Sequence, residues 1–211
     1  MSVSVAAGPG VVPTAYEPGG FVLVISGPSG AGKGTLIERL MAARPNCRFS
    51  VSATTRPQRG AEQDGREYWF LDEAEFVARR EAGAFVEWAP VHQHLYGTLQ
   101  SELDAKTGAG HVVVLDIDVQ GGASLRERRP DAVTVFVTPP SLEVLRQRLE
   151  NRQTERPEAV ELRLQNALRE LPEYVHYQYL VVNDQLEDAV RALVEIHDVE
   201  RRRVARLSPR Y

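Results

Sequence analysis

The run Gly27-Pro28-Ser29-Gly30-Ala31-Gly32-Lys33-Gly34-Thr35 has residue types and spacing that can hold phosphate. Glycines let a backbone curl until successive N–H groups point at one anion. A helix beginning there adds the positive end of its dipole, and Lys33 adds a full charge for β and γ phosphates. The same glycines could form a plain turn. What favours the phosphate loop is its setting between an apolar run at 21–25 and a helical pattern in which Leu36 and Leu40, then Ile37 and Met41, recur four apart. The pattern departs at one position. The residue after the lysine, which usually carries a hydroxyl for Mg²⁺, is Gly34, and the hydroxyl comes one later on Thr35. A magnesium ion held largely through its waters is therefore expected. Asp116, after the apolar run at 112–115, is the tentative outer-shell carboxylate, with Asp118 beside it. Both also suit helix capping or an ion pair.

Further clusters lie downstream. Ser52, Arg56, Arg59, Glu62 and Tyr68 fall within one short stretch, followed by Glu87 and by Tyr96-Gly97-Thr98. Arginine's planar fork can bridge two phosphate oxygens, which a lysine cannot. Taken singly, Tyr68 and Tyr96 also read as core residues whose hydroxyls find a partner. Glu87, between Val86 and Trp88, reads by strand alternation as solvent-facing. His92, His94 and Cys47 fall short of a metal site.

These residues need elements to position them. Apolar runs at 21–25, 112–115, 133–137 and 180–182 are short and mostly β-branched, as in parallel strands covered on both faces. Helical patterns alternate with them. Arg44-Pro45 ends the first helix. Ser141 is placed to cap a helix carrying Leu142, Leu145 and Leu149. Val160, Leu164 and Leu168 stripe the next, and Asp184 with Glu187 resembles a capping box for a terminal helix with Val190, Leu193, Ile196 and His197 inward. The fold class is α/β with a parallel sheet core. Residues about 50–99 form an inserted subdomain with aromatics of its own, and residues about 141–171 a charged helical hairpin. The core is left with about 21–49, 100–140 and 172–211. Residues 1–20, rich in Gly and Pro, read as a flexible tail outside the fold.

The 211 residues carry a net charge of −4, which disfavours a broad nucleic-acid surface. One cysteine excludes an intrachain disulfide and fits a reducing compartment. No run approaches the roughly 18 apolar residues of a membrane span, and the start lacks the pattern of a secretory signal. A cytoplasmic protein without membrane partners is expected.

The phosphate loop, Ser50-Val51-Ser52-Ala53-Thr54-Thr55-Arg56-Pro57-Gln58-Arg59, Asp64-Gly65, Phe85-Val86-Glu87-Trp88-Ala89 and 115–121 occur in order. Together with Arg148, Arg152, Thr154 and Arg163 they closely resemble the guanylate kinase family, from about Phe21 to about Arg191. His94-Leu95-Tyr96 departs from the family's two-tyrosine form at Leu95. The resemblance implies a P-loop kinase with an inserted GMP-binding subdomain and a helical lid, using ATP, Mg²⁺ and GMP. It implies that Arg56, Arg59, Tyr68 and Tyr96 hold the GMP phosphate and that Ser52, Glu87, Thr98 and Asp118 read guanine. It makes Lys33, Arg59, Arg148, Arg152 and Arg163 the catalytic cations and leaves Arg146, Arg156 and Arg169 as surface charges. Asn183 is a candidate contact for the adenine end of ATP, or a turn residue. Chemistry agrees with this set. Guanine offers two adjacent donors that a carboxylate can accept, and an O6 to which Ser52 or Thr98 could donate. A catalytically inactive interaction module of this kind, or a P-loop kinase for another phosphorylated small molecule, is the competing reading.

Overall fold

The computed structural model describes residues 12–91, 93–150 and 157–210. The chain enters through β1 (Ala15–Pro18) and β2 (Phe21–Ser26), turns through the glycine loop into α1 (Lys33–Ala43), and continues to β3 (Cys47–Phe49). An insertion follows: β4 (Ala53–Thr54), β5 (Trp69–Phe70), α2 (Glu73–Glu81), β6 (Phe85–Val91) and β7 (His94–Leu99). The core resumes with α3 (Gln100–Gly108), β8 (Val112–Asp116), α4 (Val119–Arg128) and β9 (Val133–Thr138). The hairpin is α5 (Leu142–Glu150) and α6 (Pro157–Glu170). A 3₁₀ turn (Leu171–His176), β10 (Tyr179–Val182), α7 (Leu186–Glu200) and β11 (Leu207–Arg210) complete the chain.

Five parallel strands stand in the order β10-β9-β2-β8-β3. All four expected runs are strands here. In β2, β8 and β9 the apolar character follows from cover on both faces; β10, at the sheet edge, corrects the expectation, because Leu180 and Val182 are exposed and only Val181 is buried. Leu23, Ile25, Val114 and Val135 pack on Leu36 and Leu40 of α1 and Leu193 of α7. Val22, Val24, Val113 and Leu115 face Leu103 of α3 and Leu125 of α4. The chain leaves β2 toward β3 on one side and later crosses from β8 to β9 on the other. The carboxyl ends of β2 and β8 therefore flank the crevice where α/β sheets place ligands.

The insertion carries a sheet ordered β5-β4-β7-β6 over Ala53, Phe76, Phe85 and Leu99, with the Phe76 and Phe85 rings stacked at 4.4 Å. In the hairpin Ser141 caps α5 through the Val144 N–H. Leu145 and Leu149 pack on Val160, Leu164 and Ala167. The expected stripe is corrected at two ends: Leu142 and Leu168 are exposed, and Ala167 takes the inner place. The tail is corrected too. Ala15–Pro18 pairs antiparallel with Leu207–Arg210, so this part of residues 1–20 belongs to the fold, while residues 1–11 lie outside the described residues. The proposed capping box at α7 does not form: the N-cap is Gln185, with no side-chain bond. No described helix is long and apolar enough to cross a membrane.

One contact between α1 and α7 carries a pH dependence. Arg44 pairs with Asp198, which also accepts from His197, buried beside Phe21. Burial pushes His197 below its usual value, with the Arg201 and Arg44 charges adding to the effect and Asp198 opposing it. A histidine that protonates less readily folded than unfolded contributes stability that is present above the unfolded value of about 6.5 and lost as pH falls. The thermal midpoint should therefore drop on moving from neutral to mildly acid buffer, and His197→Gln should flatten that drop. An unchanged slope in the variant would assign the acid sensitivity elsewhere.

Candidate active site

The glycine loop closes over the carboxyl end of β2. Gly27, Gly30 and Gly32 hold φ of 142°, 88° and 88°, conformations that L side chains rarely adopt. A Cβ on Gly27 would overlap the Val137 carbonyl, and one on Gly32 the Asn183 amide. Gly32 caps α1 with no side-chain bond, and no acidic residue occupies the first turn. The helix N-terminus is thus left for an external anion. Lys33 Nζ donates to the Gly27 carbonyl at 2.7 Å and lies 3.9 Å from Asp116 Oδ1. A depression of about 340 Å³ lies alongside, lined by Ser29, Lys33, Thr35, Glu38 and Asp116. Burial pushes the Asp116 carboxyl up, while Lys33 draws it down. Glu38, one turn into α1, went unnoticed in the sequence because an exposed helical glutamate carries no signal.

Asn183 takes a supporting place. It is buried, its N–H donates to Thr138, and its side chain donates to the Ala31 carbonyl at 2.8 Å. Its amide braces the phosphate loop. Asp118 proves to be the N-cap of α4, accepting from the Gly121 N–H at 2.8 Å.

The insertion brings the second set together. Arg56 is 6% exposed; it donates to both Glu62 oxygens at 2.8 and 3.0 Å. Its guanidinium lies over the Tyr68 ring at 5.3 Å, and Tyr68 meets Tyr96 edge-on at 5.9 Å. Arg59 is exposed, and its backbone N–H donates to Glu62 at 2.8 Å. Glu62 therefore organises both arginines, and Arg56 holds its carboxyl below the usual range. Sequence reading assigned Glu62 no role. A carboxylate three residues after Arg59 was the available signal.

Glu87 corrects the alternation argument. A β-bulge between Phe85 and Glu87 sets Glu87 opposite Thr98 in β7, facing inward. Thr98 is fully buried and its hydroxyl donates to Glu87 Oε1 at 2.6 Å. The Thr98 hydroxyl is thus held by Glu87 in this structure. The Ser52 hydroxyl has no partner among the described residues, so it remains available for guanine O6. Burial, with the nearby Asp118, pushes the Glu87 carboxyl up, against the Thr98 hydroxyl. Glu87 and Asp118 approach each other beside Gly121, both within ordinary contact distance of where its Cβ would stand.

The hairpin rests on the loop. Leu145 and Leu149 occupy the space a Cβ on Gly30 would need. Arg163 Nη1 donates to the Ser29 hydroxyl at 3.3 Å, and Arg148 Nη2 to the Asn183 carbonyl at 2.8 Å. Arg148 Nη1 is buried without a hydrogen-bond partner among the described residues. Arg152 and Thr154 lie outside the described residues.

Comparison with known proteins agrees with this arrangement. The family model for guanylate kinase matches residues 20–200. The guanylate kinase of Symbiobacterium thermophilum is 48% identical over 190 residues, 90% of each chain. That of Thermotoga maritima is 48% identical over 187 residues, 89% of this chain and 90% of its own. The crystal structure of guanylate kinase from Anaplasma phagocytophilum superposes with a TM-score of 0.67 at 31% identity, covering 90% of this chain and 91% of that one. A phosphate loop facing a carboxylate-and-arginine subdomain, matched along nearly the whole chain, places this protein in the guanylate kinase family.

Proposed function

We propose that the protein transfers the γ-phosphoryl group of ATP to GMP, giving ADP and GDP. The observation that carries this reading is Glu87, turned inward by the bulge in the subdomain that also holds Arg56, Tyr68 and Tyr96. Its oxygens can accept from guanine N1–H and the N2 amino group, Ser52 can donate to O6, and the arginines can take the 5′-phosphate. Acceptor binding is assigned to residues about 50–99 and the lid to about 141–171.

A phosphate monoester has a second pKa of about 6, so the acceptor oxygen is already ionised at neutral pH and needs no general base. The obstacle is repulsion. Two unit charges 4 Å apart oppose each other by roughly 4 kcal/mol at an effective dielectric of 20. Lys33, the loop amides, Arg56, Arg59, Arg148, Arg152 and Arg163 are the cations that offset it. Closing the hairpin over the nucleotides would exclude water that otherwise hydrolyses ATP.

The residues fit a hydrated Mg²⁺. No group of three or more His, Cys, Asp or Glu that could cage a metal occurs among the described residues. Thr35, Glu38 and Asp116 stand together beside Lys33, suited to holding its waters while the phosphates bind it directly. It would supply charge neutralisation. A cytoplasmic location agrees with the free buried thiol of Cys47. The interaction-module reading has against it Lys33 and Arg163, both poised at the loop.

The test is ADP release measured across GMP, AMP, CMP and UMP. Strong preference for GMP is expected. Equal rates would overturn the acceptor assignment.

A further inference from the structure

The ladder between β2 and β8 ends at the pair Ile25 and Asp116, and beyond it the two strands part to open the crevice. A side chain spans the floor of that opening. Ser26, fully buried at the last position of β2, donates its hydroxyl to the Ile117 carbonyl at 2.8 Å, with the Asp118 carbonyl at 3.4 Å. The segment it holds carries a carboxylate on either side. Asp116 lies 3.9 Å from Lys33. Asp118 caps α4 and stands near Glu87, beside Gly121. Ser26 itself is joined directly to Gly27, the first residue of the phosphate loop. The loop, the carboxylate beside Lys33 and the carboxylate beside Glu87 therefore meet at one hydroxyl.

That hydroxyl is not needed to hold β2. The backbone of Ser26 is already in the β9 ladder, opposite Phe136. What the hydroxyl secures is 117–118, which has left the sheet. Its neighbours are closely set. A Cβ on Gly122, in the first turn of α4, would stand 3.2 Å from Ser26 Oγ and would overlap the Tyr177 hydroxyl. Glycine thus lets the turn approach both. The Gly122 N–H donates to the Asp118 carbonyl at 2.9 Å, so the helix and Ser26 converge on the same group. Tyr177 is braced in turn, its ring edge-on to Phe136 at 5.1 Å and beneath the Arg126 guanidinium at 4.8 Å.

We propose that Ser26 is a positioning residue for phosphoryl transfer: its hydroxyl sets 116–118 against the phosphate loop and so fixes the donor and acceptor sites relative to each other. Transfer needs the two anions in line, and a displacement of about 1 Å caused far from the chemistry can cost about a hundredfold in rate. The contacts assigned to each nucleotide lie elsewhere, on the loop and on the insertion, so either one bound alone does not depend on Ser26. The proposal rests on the GMP reading above and adds to it the contact that registers the two halves of the site.

Ser26→Ala tests it, read by steady-state turnover and by calorimetry of GMP alone and of a non-hydrolysable ATP analogue alone. kcat should fall by about tenfold or more, while both dissociation constants stay near their wild-type values. A residue that only held the fold together would show no such split. Wild-type kcat in the variant would overturn the proposal, and so would equal weakening of both nucleotides. If Ser26→Ala does not fold, Gly122→Ala reads the same junction from the other side, because its Cβ would push α4 away from Ser26 and Tyr177. The same loss of kcat with both affinities kept is expected there, and wild-type kcat would overturn the proposal. Failure of the GMP reading is distinguishable: the wild type would then turn over AMP as fast as GMP, whereas failure of this proposal appears only in the variants.

Discussion

Lys33→Met should stop turnover while GMP still binds. Methionine keeps most of the apolar stem but removes the charge that would meet the transferred phosphoryl group. One unit charge at 4 Å contributes roughly 4 kcal/mol at an effective dielectric of 20, so kcat should fall by about a thousandfold. GMP affinity should be nearly intact, because Arg56, Tyr68 and Tyr96 lie on the insertion and their contacts do not include Lys33. The lysine also donates to the Gly27 carbonyl, so some loosening of the loop is expected. Stopped-flow turnover, GMP calorimetry and a thermal melt separate these effects. Wild-type turnover in a folded variant would remove Lys33 from the chemistry.

How much of this site could be read from the chain alone depended on how local each signal was. The phosphate loop was legible because its glycines, lysine and flanking patterns sit within one short stretch. The central strands β2, β8 and β9 were legible because burial on both faces makes each a nearly continuous apolar run. Glu87 was not placed correctly by alternation, because a bulge inserts one residue and only pairing with β7 reveals it. The bond from Thr98 to Glu87 was hidden for a related reason: its acceptor is on the neighbouring strand. Ala15–Pro18 reads as tail because its partner strand lies at the far end of the chain. At the hairpin, Leu168 looked like the next inner residue on spacing alone. Ala167, three rather than four residues after Leu164, packs with Leu145 and Leu149 instead. Glu62 differs from these cases, since its proximity to Arg56 and Arg59 was visible and only its role was missed.

Glu87→Gln should separate recognition from stability. The carboxylate offers two acceptors to guanine's two donors. An amide offers one acceptor and turns an N–H₂ toward the other donor, and Thr98 still directs its proton at the same side chain. A mispaired, buried polar edge should lower kcat/KM for GMP by about 10²–10³-fold, while KM for ATP stays as in the wild type. Equal losses for both nucleotides would show that Glu87 does not read the base. The pH profile gives a second readout. Burial raises the Glu87 carboxyl, and its protonated form would set a donor against guanine's donors. GMP affinity should therefore fall, as pH drops, at a higher pH than an ordinary glutamate's value of about 4.3 would give. The substitution should abolish that limb and leave the one due to the GMP phosphate itself. Stability moves the other way. A carboxyl raised in the folded state contributes stability below its unfolded value and loses it as pH rises through the folded value. At neutral pH the wild type thus holds a desolvated charge that folding disfavours. The neutral variant should melt no lower than the wild type, and at neutral pH somewhat higher. A protein that binds GMP poorly yet melts higher would identify Glu87 as a residue kept for the guanine it meets, against the preference of the fold around it.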